Sequence, residues 1–275
     1  MRDGRAEPDA AVLVSRTEQI VEPKVALAIN REGWNHVAPR FHGSTALPEY
    51  GPLAPTEDTL HLLDGVSDTR VLELGCGSGH SLLYLARHGA RELWGLDLSP
   101  VQIRFAEETL RPFASRVRLF ESPMEVNPGL PENYFDFVFS IYGLGWTTDL
   151  AETMALVNRY LRPGGCFIVS GEHPVYSCIE WNGTGYSVAT SYFAEGPIRH
   201  NSWKGVPIVI NRRTLGTFLG QVVQAGLHIE SLVETPLDAS SVRDQHIDPA
   251  RWYSVARAQM MPTTFIVKAR KPARL

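Results

Sequence analysis

The chain is 275 residues long, 44% hydrophobic, 20% charged and 9% aromatic, a balance that suits a globular protein with a sizeable core and argues against disorder along its length. At roughly 100–200 residues per domain, this length allows one large domain or two small ones. Its 26 Lys and Arg against 30 Asp and Glu give a net charge of −4, without the basic footprint that polyanions attract, so no nucleic-acid partner is expected.

Residues 1–17 are polar or small, without sustained periodicity, and are expected to form a loose tail. Their only apolar stretch, Ala10 to Val14, is cut off at Ser15 and Arg16, which makes a poor signal peptide. From Glu18 to Arg40, the apolar residues Ile20, Val21, Val25, Leu27 and Ile29 suit one or two short helices, with Pro23 in a first turn or at a break. Gly and Pro residues crowd around Tyr50 and make that stretch a loop. Thr56, with Glu57 and Asp58 behind it, opens a helix predicted to run through Leu63.

The next hundred residues alternate. RVLELG, ELWGLDLS, VRLF, FDFVFS and CFIVSG read as strands, and the stretches His80–His88, Pro100–Leu110 and Leu150–Leu161 as helices. Strands alternating with helices imply a parallel sheet covered on both faces, because each right-handed crossover lays a helix over the sheet. After Gly171 the regularity stops for about forty residues, with neither a 3.6 nor a 2 period, and this stretch reads as an inserted cap. A helix resumes at RRTLGTFLGQVVQAG and stops at Gly226, followed by strands HIESLVE and TTFIVKAR. Cys76, Cys166 and Cys178 cannot all pair, and their spacing matches neither a disulfide framework nor a CxxC metal site. No HxH or HxxxH occurs, so no metal is expected. With no apolar run near the roughly 20 residues of a membrane span, a cytoplasmic protein without membrane contact is the expectation.

The chemistry gathers at the first strand's end. Glu73, Gly75, Gly77 and Gly79 lie at a strand–turn–helix junction, where glycines let the backbone bend sharply and the helix N-terminus presents unpaired N–H groups. Asp97 follows 22 residues after Gly75 at the end of the second strand, where a carboxylate can accept both hydroxyl protons of a ribose.

The Gly75-x-Gly77-x-Gly79 spacing, with Glu73 before it, differs from the GxGxxG of dinucleotide dehydrogenases. It resembles motif I, E/DxGxGxG, of the class I S-adenosylmethionine-dependent methyltransferases. The resemblance runs from about Val71 to Gly171. Gly95-Leu96-Asp97-Leu98-Ser99 matches the family's ribose-holding acid, Phe135–Ser140 its fourth strand, and Leu161-Arg162-Pro163-Gly164-Gly165 its turn before the fifth. It implies an α/β fold with a Rossmann-like, seven-stranded, mostly parallel sheet whose last strand is reversed. It also implies that S-adenosyl-L-methionine is the cofactor. Glu73, Gly75 and Gly77 would line the methionine part, Asp97 would take the ribose, and Leu98 would pack by the adenine. The family's GDA-like turn after strand three is replaced here by Glu121-Ser122-Pro123-Met124-Glu125, so the adenine contact falls to the Met124 backbone, Ser122 or Glu125. Ser140 ends the fourth strand beside the cofactor, and the Tyr50 hydroxyl is expected to reach the methionine end.

For the acceptor, Tyr142 and Trp146 follow the fourth strand where the transferred methyl emerges, and no [DN]PP[YF] tetrapeptide, a mark of nucleic-acid amino methyltransferases, stands there. His173 follows the fifth strand at the carboxyl edge, where ligands bind in open α/β sheets, and is the candidate base, with Glu172 as its alternative. Tyr176, Trp181, Tyr186, Tyr192, Phe193 and Trp203 in the cap could enclose an apolar acceptor or form a satellite core. Trp34 and Asn35 are expected to close over the pocket from the N-terminal side.

These readings give a loose tail at 1–17 and one domain over 18–275. Within it, 18–66 is an N-terminal cover, 67–171 the cofactor-binding core, 172–212 the acceptor cap and 213–275 the remainder of the sheet. The expected activity is methyl transfer to a small molecule at O, N, S or C by in-line displacement. A protein or nucleic-acid methyltransferase and a non-catalytic cofactor-binding module are the alternatives.

Overall fold

The computed structural model of the chain describes residues 21–43, 47–234 and 236–273, so the expected tail at 1–17 lies outside the described residues. In chain order the elements are α1 (Pro23–Val37), α2 (Glu57–Leu60), β1 (Arg70–Leu74), α3 (His80–Arg87), β2 (Glu92–Asp97), α4 (Pro100–Leu110), β3 (Val117–Glu121), β4 (Phe135–Ile141), α5 (Leu150–Tyr160) and β5 (Leu161–Glu172). They continue with β6 (Ile179–Trp181), β7 (Tyr186–Val188), β8 (Gly196–Trp203), β9 (Val206–Arg212), α6 (Leu215–Gln224), β10 (His228–Glu234), α7 (Val255–Ala258) and β11 (Thr264–Arg270).

Seven of the strands form one sheet in the order β10-β11-β5-β4-β1-β2-β3. β1 to β5 run parallel, and β11 lies antiparallel between β5 and β10, so the reversed last strand is borne out. Strand alternation divides the core. Leu72 and Leu74 of β1 pack with Met154 and Val157 of α5 and Phe218 of α6, whereas Val71 packs with Leu82 and Leu85 of α3. The helices start where short polar side chains cap them: Ser99, Asp149 and Thr214 each accept an N–H from the first turn. No helix among the described residues is long and apolar enough to cross a membrane.

Two local expectations are corrected. α2 stops at Leu60 rather than Leu63, because His61 turns left-handed at φ 50° and the buried Glu57 carboxylate accepts the Leu62 and Leu63 N–H groups. The 172–212 cap is not irregular. It holds two antiparallel ribbons, β6–β7 and β8–β9. Asn182 Oδ1 draws in the Thr184 and Gly185 N–H groups to turn the first. Lys204 (φ 49°) and Gly205 (φ 88°) make the two-residue turn of the second. The period-2 signal is missing because no residue of β7 or β8 is buried, so neither ribbon strand has an inward face.

In the described part of 18–40, the one or two helices expected are a single helix, α1, followed by a 3₁₀ turn, and α1 is bound to the second ribbon. The buried Asn30 side chain donates to Val209 O (2.8 Å) and accepts from Val209 N–H (2.7 Å), while Gly33 lets the helix rest directly on Pro207 and Ile208. Asn30→Ala leaves both Val209 groups unpaired under the helix, and a stability loss of about 2 kcal/mol is expected. Urea unfolding measures it.

Candidate active site

β1 ends at Leu74 and the chain turns through Gly75 (φ 72°), Gly77 (φ 51°) and Gly79 (φ 77°) before α3, a left-handed path that side chains with a Cβ resist. The turn is laced to β2: the Gly75 and Cys76 N–H groups donate to Leu96 O at 2.7 and 3.0 Å. A Cβ at Gly75 would come 3.4 Å from both Gly143 Cα and the Met124 Cε, which places the end of β4 and the β3 turn against the same loop. At Gly77 a Cβ would meet nothing nearer than 3.9 Å, so space is open there.

Asp97 closes the corner of this loop. Its Oδ2 accepts from Gly77 N–H (2.9 Å) and its Oδ1 from Ser99 N–H (2.8 Å). A carboxylate offers about four acceptor positions, so acceptor capacity remains for a ligand. Glu73 is buried beneath the loop, its Oε2 is sealed without a hydrogen-bond partner, and burial holds its carboxyl well above the usual carboxylate range. An open left-handed glycine turn, a part-used carboxylate and a buried one with a free oxygen fit a ligand that carries hydroxyls at one end and donor groups at the other.

The remaining expected cofactor residues fall into two groups. Leu98 is half-buried beside Asp97, and the Met124 thioether tip, rather than only its backbone, lies by Gly75. Ser140 sits at the junction but donates its hydroxyl to Leu74 O (2.7 Å), bracing β4 against β1. Tyr50 departs from expectation. Its hydroxyl donates to Glu57, and the side chain is fully buried in the core on the α3 face, so it is spent on anchoring the 47–56 segment. Glu125 accepts from Thr147 and Thr148, so it braces the loop after β4 instead of offering an adenine contact.

α1 covers the Asp97 corner. Asn35 Oδ1 accepts the hydroxyl of Ser99, and Arg31 pairs with Glu121 at the end of β3. Trp34 meets Trp146 edge-on at 5.1 Å and Trp203 at 5.4 Å, joining helix, post-β4 loop and ribbon in one aromatic cluster.

On the side where the acceptor is expected, Tyr142 takes a left-handed φ of 54° just after β4, a conformation uncommon for an aromatic residue and one that clusters at functional sites. Its hydroxyl is 2.6 Å from Thr264 Oγ1, and burial pushes it far above the usual phenol range. Tyr176 is buried, donates to Trp252 O (2.6 Å) and stacks on Tyr253 at 5.7 Å. Glu172, at the end of β5, accepts from Trp252 Nε1–H (2.7 Å) and the Tyr253 hydroxyl (2.6 Å).

His173 is arranged differently. Its Nδ1 accepts from Val175 N–H (3.2 Å), so the proton is on Nε2, which donates to Glu234 Oε1 (2.6 Å). Both ring nitrogens are thus engaged in tying β5 to the end of β10, and burial lowers the imidazole's pKa despite Glu234. Apart from Trp203 and Tyr176, the cap aromatics do not converge. Trp181 packs on Tyr186 at 5.1 Å, the Tyr192 hydroxyl caps Leu215 N–H, and Phe193 is 82% exposed.

Trp252, Tyr253 and Arg257 were not singled out from the sequence, because they sit in an aperiodic stretch before β11 with no motif around them. Among the described residues no cluster of His, Cys, Asp and Glu could hold a metal ion.

A family model described as a methyltransferase domain matches residues 72–169, the stretch from β1 to β5. The chain is 29% identical over 225 residues to an uncharacterized protein of Haemophilus influenzae, covering 77% of this chain and 85% of that one. It is 33% identical over 118 residues to the trans-aconitate 2-methyltransferase of Methylobacterium nodulans, spanning only 43% of that enzyme's length. Among solved structures, an S-adenosylmethionine dependent methyltransferase from Mesorhizobium loti superposes with a TM-score of 0.65 at 28% identity, over 77% of this chain and 94% of that one.

Proposed function

From the premise that this chain is a class I S-adenosylmethionine-dependent methyltransferase, we propose that it methylates a small molecule held at the carboxyl edge of β4 and β5. When bound, the cofactor supplies an electrophilic methyl group on a sulfonium. The chain's own residues do the rest, which is chiefly to bind, orient and exclude water. In this reading Gly75 and Gly77 lay their backbone along the methionine part and Glu73 takes its donor groups. Asp97 accepts the ribose hydroxyls, and Leu98 and Met124 pack against the adenosine.

The observation that carries a small acceptor is the cover. α1 and the β8–β9 ribbon close one side through Trp34, Trp146 and Trp203. The 47–56 segment and the stretch before β11 close the other, joined by Asp238 N–H to Leu53 O (2.9 Å) and the Ser241 hydroxyl to Ala54 O (3.2 Å). Such a site favours a compact molecule over a polymer. Incubation with methyl-labelled cofactor and, separately, a low-molecular-weight metabolite extract, bulk tRNA and peptides tests this. Label in the metabolite fraction is expected, and label confined to tRNA or peptides overturns it.

Burial pushes the Asp97 carboxyl up from 3.8 to about 6, against the lowering pull of the Ser99, Gly77 and Leu98 N–H groups. Because the folded value lies above the unfolded one, the stability this group contributes is present below 3.8 and lost as the pH rises through about 6. At neutral pH the ionised form is held at a cost that two donating hydroxyls offset. S-adenosylhomocysteine affinity is therefore expected to fall about tenfold per pH unit below roughly pH 6, as calorimetric titration over the acid range measures.

A further inference from the structure

Glu172 stands out among the groups around the acceptor edge. Both of its hydrogen bonds, from Trp252 and Tyr253, end on Oε2, and Oε1 accepts none among the described residues. No Lys, Arg or His nitrogen of the described residues lies within 4.0 Å of this carboxylate. It is half-buried, and burial raises its pKa, so its charge stands in a partly dry setting without an ion pair.

The position is next to the chemistry. β4 and β5 are in parallel register at Ile141 and Ser170, and Tyr142 N–H continues the ladder by donating to Ser170 O (3.0 Å). Glu172 ends β5 two residues past Ser170, and Gly143 follows Tyr142 just beyond the end of β4. Gly143 itself abuts Gly75 in the glycine turn.

The nearby cations do not recruit an anion. Arg257 is 2% exposed, donates to the carbonyls of Tyr176, Ile179 and Trp252, and lies over the Tyr176 and Trp252 rings at 4.0 and 4.5 Å. Arg212 donates to Cys178 Sγ (3.1 Å) and Ser191 O (3.4 Å). Both lower the Glu172 pKa from a distance without pairing with it. The partners of the carboxylate are aromatic: Trp252 and Tyr253 bond to its Oε2, and Tyr176 stacks on Tyr253. An unpaired carboxylate among electron-rich rings is the environment that stabilises a desolvated ammonium.

We propose that Glu172, framed by Trp252 and Tyr253, is the acceptor subsite for a protonated amine, with Oε1 receiving its N–H. The assignment rests on the methyltransferase reading above and goes on to name the acceptor's charge class. Glu172 is placed as a specificity group, and Tyr253 and Trp252 as the residues that hold its other oxygen.

The test is calorimetric titration of the full chain, loaded with S-adenosylhomocysteine, with three probes of one shape: benzylammonium, benzyl alcohol and benzoate. Benzylammonium is expected to bind the wild type at least about tenfold more tightly than either of the others, as a charge-assisted bond to a carboxylate provides. In Glu172→Gln that preference is expected to vanish while S-adenosylhomocysteine affinity stays within about threefold of wild type. Tyr253→Phe, which keeps the carboxylate, is expected to retain the preference, so the test does not depend on how well Glu172→Gln folds. Equal or absent binding of the three probes, tighter binding of benzoate, or an unchanged preference in Glu172→Gln overturns the assignment. Failure of the wild type to bind S-adenosylhomocysteine overturns the methyltransferase reading, and this assignment with it.

Discussion

Asp97→Ala is expected to weaken S-adenosylhomocysteine binding by about two orders of magnitude, equivalent to about 3 kcal/mol. The carboxylate already accepts one N–H on each oxygen, from Gly77 and Ser99. Its remaining lone pairs are the ones two ribose hydroxyls would use, through charge-assisted bonds in a partly buried corner. Alanine removes those acceptors and also the tie that holds Gly77 against the end of β2. Asp97→Asn separates the two effects. It keeps the shape and one acceptor while removing a charge held at a cost, so the ligand-free protein is expected to be at least as stable at neutral pH, yet to bind more weakly. Calorimetry gives the affinities and thermal melts give the stabilities. Wild-type affinity in Asp97→Ala would remove Asp97 from the cofactor site.

Gly143→Ala is expected to cost about 2–3 kcal/mol of stability and to abolish cofactor binding. Its Cβ would lie 2.3 Å from Ser140 Oγ and 2.8 Å from Leu74 O, two atoms already bonded to each other at 2.7 Å. The Leu74 carbonyl belongs to β1 backbone and cannot turn aside as a flexible side chain could. β4 would have to move off β1 just where Gly143 supports Gly75. Adding Ser140→Ala removes the closer clash and leaves the backbone one, so the double variant is expected to recover part of the melting temperature. A single variant as stable as wild type would mean that the strand ends are less tightly joined than this packing requires.

Strands β1 to β5 and the helices between them were legible in the sequence to within a residue or two at most ends. Their apolar runs are continuous because both sheet faces are covered, and their helices carry local caps such as Ser99 and Asp149. The two ribbons were not legible. With little apolar burial, β7 and β8 have no face to mark by alternation, and only the Asn182-Gly183 and Lys204-Gly205 turns carried a signal. The helix predicted through Leu63 illustrates the same limit: propensity favoured continuation, while a tertiary arrangement, Glu57 bonded to Tyr50 and to two amides, ended it.

The glycine turn after β1 was legible because its requirements are local. Left-handed turns need glycine, so Gly75, Gly77 and Gly79 mark it in the sequence, and Asp97, which accepts from Gly77 N–H, ends the next strand. The edge where an acceptor is expected is assembled from segments far apart in the chain, and spacing says nothing about which side chains meet there. Only the tertiary structure turned His173 toward Glu234, spent Tyr50 on Glu57, and brought Trp252 and Tyr253 to Glu172 across about eighty residues. The physical reason is competition for hydrogen-bond partners. A polar side chain's role depends on which donor or acceptor lies nearest after packing, and packing is a property of the whole fold.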